Sequence, residues 1–322
     1  MSCELASARR AAANLKGIAL RTPLIRLNHD APNEVFLKLE SLQPIGSFKI
    51  RGAANAMLTA PRERIARGVL TASAGNMAQG VAYCARMLGV PATVVTPETA
   101  PETKLRAIAR LGGRIIKVPF EDWWRTFETQ AYPGVDAAFV HAFDDDDVMA
   151  GNGTIGLELI EDLPDLDAIA IPWGGGGLTC GIAMAVKALK PSVKIYAVES
   201  ETATPLTASL KAGKPVIVDY RPSFIDGIAS KTVFPRMLEL AQRWVDGTIV
   251  VTLEEAASAI RIAAERARII AEGAAGCAIA AAISGRAGAG KTVAIVSGGN
   301  IDLRKFREIV GSETPRKPLT QS

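Results

Sequence analysis

Four consecutive glycines, Gly174, Gly175, Gly176 and Gly177, constrain this chain more than any other stretch. They follow a short apolar run at 168–171 and Pro172-Trp173, and they precede a helix-like segment from about Thr179. Glycine loses more conformational freedom on folding than any other residue, so a purely structural run of four is strained. In a strand–loop–helix context the run has a use. Bare backbone can wrap a tetrahedral anion, and the helix N-terminus presents unpaired N–H groups to it. The stretch predicts an α/β fold with a phosphate held at Gly174 to Gly177 and Leu178.

The rest of the chain fits that class. Helix-like runs at 52–58, 77–88, 101–111, 155–160, 181–189 and 253–272 carry apolar residues at helical spacing. Between them lie β-rich runs at 35–40, 92–95, 114–118, 168–171, 194–199 and 292–296. Each is nearly continuously apolar, as a parallel strand covered on both faces should be. The alternation predicts helices layered over open sheets. With 322 residues, 48% hydrophobic and 22% charged, the chain suits one large or two intimate domains. No repeat or low-complexity linker divides it, and the polar tail at 311–322 is expected to be loose.

Composition removes several function classes. Net charge is +4, from 37 Lys and Arg against 33 Asp and Glu, too small an excess for nucleic acid or an anionic membrane. Cys3, Cys84, Cys180 and Cys277 form no C-x-x-C pair, and the two histidines are His29 and His141, which argues against a zinc cluster. Well-spaced thiols read as reduced cysteines of a cytoplasmic protein. The N-terminus lacks the apolar core of a secretory signal. Glu265, Arg266, Arg268 and Glu272 interrupt the Ala-rich stretch at 256–283, so no membrane span is expected. The acidic run Asp144 to Asp147 precedes an apolar-periodic stretch and reads as a helix-capping loop.

One motif misleads. Gly285 to Thr292 matches the nucleotide-binding pattern G-x-x-x-x-G-K-[ST]. That loop works by running from a strand into a helix whose N-terminus faces the phosphates. Here a helix-like segment ends near Ile283 and a strand follows, so Lys291 is expected in a turn that feeds a strand.

Three further segments carry chemistry. Lys49 follows Pro44-Ile45-Gly46 at the start of a helix-like stretch, where positive potential opposes protonation of an amine. Taken alone, a surface lysine explains it better. The small polar turn Ser73-Ala74-Gly75-Asn76-Met77 follows strand-like Val69-Leu70 and can grip a carboxylate through backbone N–H groups, or serve as an ordinary helix cap. Ser297, in Val296-Ser297-Gly298-Gly299-Asn300, lies just past the last strand, where open α/β sheets bind ligands.

Joined by Arg21-Thr22-Pro23-Leu24, Ala150-Gly-Asn-Gly-Thr-Ile-Gly156 and Asp226-Gly227-Ile228-Ala229, these segments run in register over nearly the whole chain. The chain resembles the threonine dehydratase and serine racemase group of the fold-type-II pyridoxal-phosphate enzymes. The resemblance implies a tryptophan-synthase-β-like α/β fold, with two open twisted domains and pyridoxal 5'-phosphate between them. The large domain would comprise residues 1–49 and 144–322, the small domain residues 50–143, and the assembly would be a homodimer. Lys49 would be the Schiff-base lysine, beside Phe48. Gly174 to Gly177 and Leu178 would hold the phosphate, Asn76 the phenolic oxygen and Ser297 the pyridine nitrogen. Ser73, Ala74, Gly75, Asn76 and Met77 would take the carboxylate of an amino-acid substrate. An acid, Glu272, would fall near the cofactor without a defined role.

The implied activity is loss of the β-hydroxyl of an amino acid, giving a 2-oxo acid and ammonia. Lys49, with a depressed pKa, would be the base at Cα, and the cofactor the electron sink. Racemisation is the nearest alternative. It needs a proton donor opposite Lys49, and the racemases carry serine where Ala74 stands; alanine has no exchangeable proton. β-Replacement and a non-enzymatic cofactor carrier are further alternatives. Met77 stands for the family's usual His, Trp173 for a smaller apolar residue and Asn152 for Gln. These departures allow either a bulky or aromatic β-substituent, as in 3-phenylserine, or a simple change of packing. The racemase-type divalent site is incomplete, since Glu199 and Ala203 fit it but Pro205 replaces its second acid. No regulatory extension is expected after Ser322.

Overall fold

The computed structural model describes residues 4–30 and 33–311. Cys3 and nearly all of the tail, from 312 onward, lie outside the described residues. In chain order the strands are β1 (Leu24–Arg26), β2 (Glu34–Lys38), β3 (Val69–Ala72), β4 (Ala92–Pro97), β5 (Arg114–Val118), β6 (Ala138–Phe139), β7 (Ala168–Pro172), β8 (Lys194–Ser200), β9 (Gly247–Val251) and β10 (Lys291–Ile295). They form a six-stranded sheet, β1-β2-β10-β7-β8-β9, and a four-stranded sheet, β5-β4-β3-β6. Only the β1–β2 pairing among them is antiparallel.

Side-chain size decides which helices cover which face of the large sheet. Along β7 and β10, Ala168, Ala170 and Ala294 point to one side, where they meet the Ala-rich helix Gly273–Ile283. Ile169, Ile171, Val293 and Ile295 point to the other, against Ile182 and Val186 of the helix Gly177–Leu189. The period-two alternation of small and large residues lets an alanine surface pack close on one face and branched side chains fill the other.

Three helices then lock together. Lys49–Thr59 packs on Asp146–Asp162, which packs on Gly177–Leu189. A Cβ at Gly151 would lie 2.3 Å from the Arg51 carbonyl oxygen, and one at Gly181 would lie 2.3 Å from that of Met149. Only glycine permits backbones to approach so closely. The segment from Ala150 to Gly156 is therefore a packing motif that seats the helix beginning at Lys49.

A buried charge network pins the same helix. The Arg51 guanidinium donates to both Glu40 oxygens at 2.9 Å, to Glu158 at 2.6 and 3.0 Å, to Thr154 Oγ1 at 2.9 Å and to the Leu20 carbonyl at 2.9 Å. Lys38 reaches Glu158 at 2.6 Å and the Thr22 carbonyl at 2.7 Å, and Thr22 Oγ1 donates to Glu40 at 2.6 Å. Burial pushes the Glu40 carboxyl up, but Arg51 outweighs it and holds Glu40 below the ordinary carboxylate value.

Most expected elements form where the residues place them, with one instructive exception. The helix expected over 253–272 stops early. It runs Leu253–Ile262, winds into a wider turn over Ala263–Ala267 and breaks at Arg268, whose φ of 60° is left-handed. A short extended segment follows, in which the Glu272 N–H donates to the Gly298 carbonyl at 3.0 Å. The next helix starts at Gly273. The break turns Glu272 from a mid-helix residue into an N-cap, and brings it to the end of β10.

The misleading glycine motif behaves as its order requires. Residues 284–290 make turns, Lys291 opens β10, and its amine pairs with Asp165. Asp145 caps the helix Asp146–Asp162 by accepting from the Val148 N–H at 2.8 Å. Glu199 accepts from the N–H groups of Leu206 and Thr207 at 2.7 and 2.9 Å, so its carboxylate caps the helix Pro205–Ala212. Among the described residues, no group of His, Cys, Asp and Glu forms a metal cluster, and no helix is long and apolar enough to cross a membrane.

Candidate active site

The carboxyl ends of β3, β7 and β10 carry the three loops singled out from the sequence: 73–76, 173–176 and 297–300. Lys49 reaches them because the chain before it is stitched to the end of β10. Ser47 bridges to Gly298, and the Phe48 N–H donates to the Ser297 carbonyl at 3.0 Å. Phe48 is buried and Lys49 opens the helix. The Lys49 amine donates to the Ala142 carbonyl at 2.6 Å. Burial lowers its pKa to about 8, against the opposing pull of the Glu272 carboxylate. At that value roughly a fifth of the amine is neutral near physiological pH.

Asn76 and Glu272 meet across the cleft between the sheets. The Asn76 side-chain amide donates to both Glu272 oxygens at 3.0 Å, and its oxygen accepts from Asn300 Nδ2 at 2.8 Å. Asn300 also donates to the Ile45 carbonyl at 2.8 Å. The amide is held at both ends. Burial raises the Glu272 carboxyl to about 7, with the Asn76 hydrogen bond opposing.

The glycine loop leads from β7 into the helix Gly177–Leu189, whose first amides lack a helical acceptor. Gly176 is left-handed at φ 94°, and a Cβ there would meet the Trp173 ring at 2.5 Å. A Cβ at Gly175 would overlap the Phe143 ring at 2.0 Å. Gly174 faces the Gly227 carbonyl, so the segment from Asp226 to Ala229 sits against the loop. Leu178 is buried at its base. Trp173 is 1% exposed, in a cluster with Met149, Cys180, Met184 and Met237.

The turn from Ser73 to Met77 joins β3 to the helix Asn76–Leu88. Ser73 Oγ accepts from the Gly75 N–H at 3.2 Å, and the space a Cβ would take at Gly75 is empty. Ser73, Ala74, Gly75 and Asn76 are partly exposed. The Met77 side chain is 2% exposed and packs with Ile50 and Val81, so a ligand at this turn would meet its backbone rather than its side chain.

These residues fit pyridoxal phosphate on two observations. The Ser297 hydroxyl is 2% exposed and has no hydrogen-bond partner, an orphan suited to a ring nitrogen. The bare loop at a helix N-terminus suits a phosphate. Sequence reasoning missed the Asn300 side chain, Ala142 and Phe143. Asn300 lay inside a motif already noted; the other two become visible only when the loop preceding the helix Asp146–Asp162 folds over the glycines.

Comparison with known proteins agrees with this geometry. The family described as pyridoxal-phosphate dependent enzyme matches residues 15–298. The L-threonine ammonia-lyase of Thermotoga maritima is 42% identical over 303 residues, covering 92% of this chain and 75% of that protein. A catabolic L-threonine dehydratase of Staphylococcus aureus is 38% identical over 312 residues, covering 93% and 90%. The structure of maize serine racemase superposes with a TM-score of 0.87 at 32% identity, covering 96% of this chain and 97% of that one. With its family model spanning most of its length and its site assembled at the strand ends, this chain belongs to the pyridoxal-phosphate-dependent enzymes, in the fold-type-II group of threonine dehydratases and serine racemases.

Proposed function

We propose that this enzyme is a lyase that converts a β-hydroxy L-amino acid of the threonine or serine kind into a 2-oxo acid and ammonia. The observation that carries the reading is Lys49, an amine with a lowered pKa held by the Ala142 carbonyl, in a chain that has Ala74 where the racemases carry serine. Relatives named as threonine ammonia-lyase and threonine dehydratase support it.

Pyridoxal phosphate, when bound, supplies an aldehyde for an amine and a conjugated ring that draws electrons from Cα. Gly174, Gly175, Gly176, Gly177 and Leu178 would hold its phosphate, Ser297 its ring nitrogen, Asn76 its phenolic oxygen, and Lys49 and Phe48 its reactive side. The amides from Ser73 to Met77 would orient the substrate carboxylate. Lys49, as the neutral amine, takes the proton from Cα. Glu272, with a pKa near 7, fixes the Asn76 amide and keeps a second proton-bearing group beside it.

Ala74 supplies no proton to the opposite face of Cα, which favours elimination over racemisation even though a serine racemase shares the fold. The three departures that raised the prospect of a bulky or aromatic β-substituent all turn into the protein. Trp173 and Met77 are core residues, and Asn152 donates to the Gly177 carbonyl at 3.1 Å. They offer no aromatic pocket, which leaves the small substrates as the better reading. The family resemblance also suggests a cytoplasmic homodimer with a small domain of residues 50–143, which light scattering and limited proteolysis of the purified protein test. For the reaction itself, threonine, serine, 3-hydroxyaspartate and 3-phenylserine are assayed for 2-oxo acid without added nucleophile. Turnover of threonine or serine is expected; turnover of 3-phenylserine alone, or only with a thiol co-substrate, refutes the reading.

A further inference from the structure

We propose that His141 is a positioning residue for the Lys49 amine: its Nδ1 gathers the N–H groups of Phe143 and Asp144 into a turn that presents the Ala142 carbonyl to Lys49 Nζ. The inference rests on the reading of Lys49 as the reacting amine. Asp144 N–H donates to His141 Nδ1 at 2.7 Å and Phe143 N–H at 3.2 Å. Between His141 and those two amides lies Ala142, whose carbonyl accepts from Lys49 Nζ at 2.6 Å. One imidazole nitrogen thus ties the residue before the group that holds the lysine to the two amides that follow it.

Accepting two N–H groups requires an unprotonated Nδ1, which places the ring proton on Nε2. The surroundings maintain that state. His141 is 3% exposed, with its ring 4.5 Å from Phe127, 4.8 Å and edge-on to Phe143, and 6.1 Å from both Phe139 and Phe234. Burial lowers its pKa to about 4, with Asp144 opposing and Lys49 and Arg236 assisting. The charged groups around it are the Asp144 carboxylate, paired with Arg236 at 2.7 Å, and the lysine amine itself. A histidine that stays neutral over the whole working range is unsuited to moving protons here and well suited to accepting hydrogen bonds.

The position of the acceptor atom decides the test. Asparagine places its oxygen close to where Nδ1 sits, whereas glutamine places it one bond further out. In holoenzyme, His141→Asn is expected to keep kcat within about threefold of wild type, and His141→Gln to lose about tenfold or more in kcat with KM nearly unchanged. Loss of the carbonyl contact also removes an acceptor that favours the ammonium form, so the glutamine variant should show its acid limb of kcat about half a pH unit lower. Equal behaviour of the two variants, in either direction, overturns the proposal and leaves His141 as packing. If His141→Gln does not fold, His141→Leu takes its place: a wild-type acid limb and kcat in His141→Asn with both lost in His141→Leu support the proposal, and equal behaviour overturns it. Borohydride reduction and peptide mapping of wild-type holoenzyme separate the two levels. Cofactor fixed elsewhere than Lys49 refutes the functional reading and this inference with it; cofactor on Lys49 with indistinguishable variants refutes this inference only.

Discussion

Arg51→Met removes the centre of the buried network that seats the helix starting at Lys49. The guanidinium makes six hydrogen bonds, four of them to the carboxylates of Glu40 and Glu158. After the substitution Glu158 still faces Lys38 at 2.6 Å. Glu40, fully buried, keeps Thr22 Oγ1 and Gln43 Nε2 at 2.6 and 3.0 Å but loses its cation. Removing one partner of a buried pair costs roughly 3–5 kcal/mol, and the surviving hydrogen bonds place this case near 3 kcal/mol.

Urea unfolding at pH 7 measures the loss, and Glu40→Gln in the same background isolates the pair. The double variant should recover about 1 kcal/mol or more relative to additivity. The pH dependence has a definite sign. In the wild type Glu40 lies below its ordinary value of 4.5, so its contribution is present above that value and is lost as pH falls through the folded-state pKa. Without Arg51, burial raises Glu40 above 4.5, and the folded variant gains a proton that the unfolded chain lacks. The variant is therefore stabilised as pH falls from 7 toward 5, and the gap to wild type narrows. A loss under about 1 kcal/mol, or a gap that does not change with pH, refutes the reasoning.

Glu272 carries the opposite shift. Its pKa rises to about 7 in the fold, so wild-type stability falls relative to Glu272→Gln as pH rises from 4.5 through 7, by about 3 kcal/mol in all; urea unfolding of both proteins at pH 5 and pH 8 checks it, and parallel pH curves contradict it. Gly175→Ala pushes a methyl into the Phe143 ring, and fluorescence titration should show at least about tenfold weaker binding of pyridoxal phosphate, near 1.4 kcal/mol; unchanged affinity means the loop gives way without cost. Ala74→Ser restores a proton donor at the turn, so L-serine incubated in D₂O should acquire inverted, α-deuterated product that the wild type does not make.

Much of the fold was legible because two patterns agreed. The four glycines stood in strand–loop–helix order, and β7 alternates small and large residues between two helical layers. Lys49 was not legible alone, since nothing local separates it from a surface lysine; its contact with Ala142 spans 93 residues of chain. The break at Arg268 escaped notice because apolar periodicity continues through it and neither Gly nor Pro precedes it; the left-handed residue is an arginine. That break is what delivers Glu272 to Asn76. The strands β1 and β6, three and two residues long, are too short to show a period. The helix Phe120–Thr129, headed by Pro119, carries Trp124 and Phe127, which meet Phe234 in an aromatic contact that only the folded chain assembles.

The central claim is that Lys49 takes the Cα proton and that elimination follows. Lys49→Ala, loaded with pyridoxal phosphate and given L-threonine, tests it most directly through the rate of 2-oxobutanoate release. The account predicts a fall of about a hundredfold or more, partly restored by an added small primary amine. Release at the wild-type rate from that variant would contradict it.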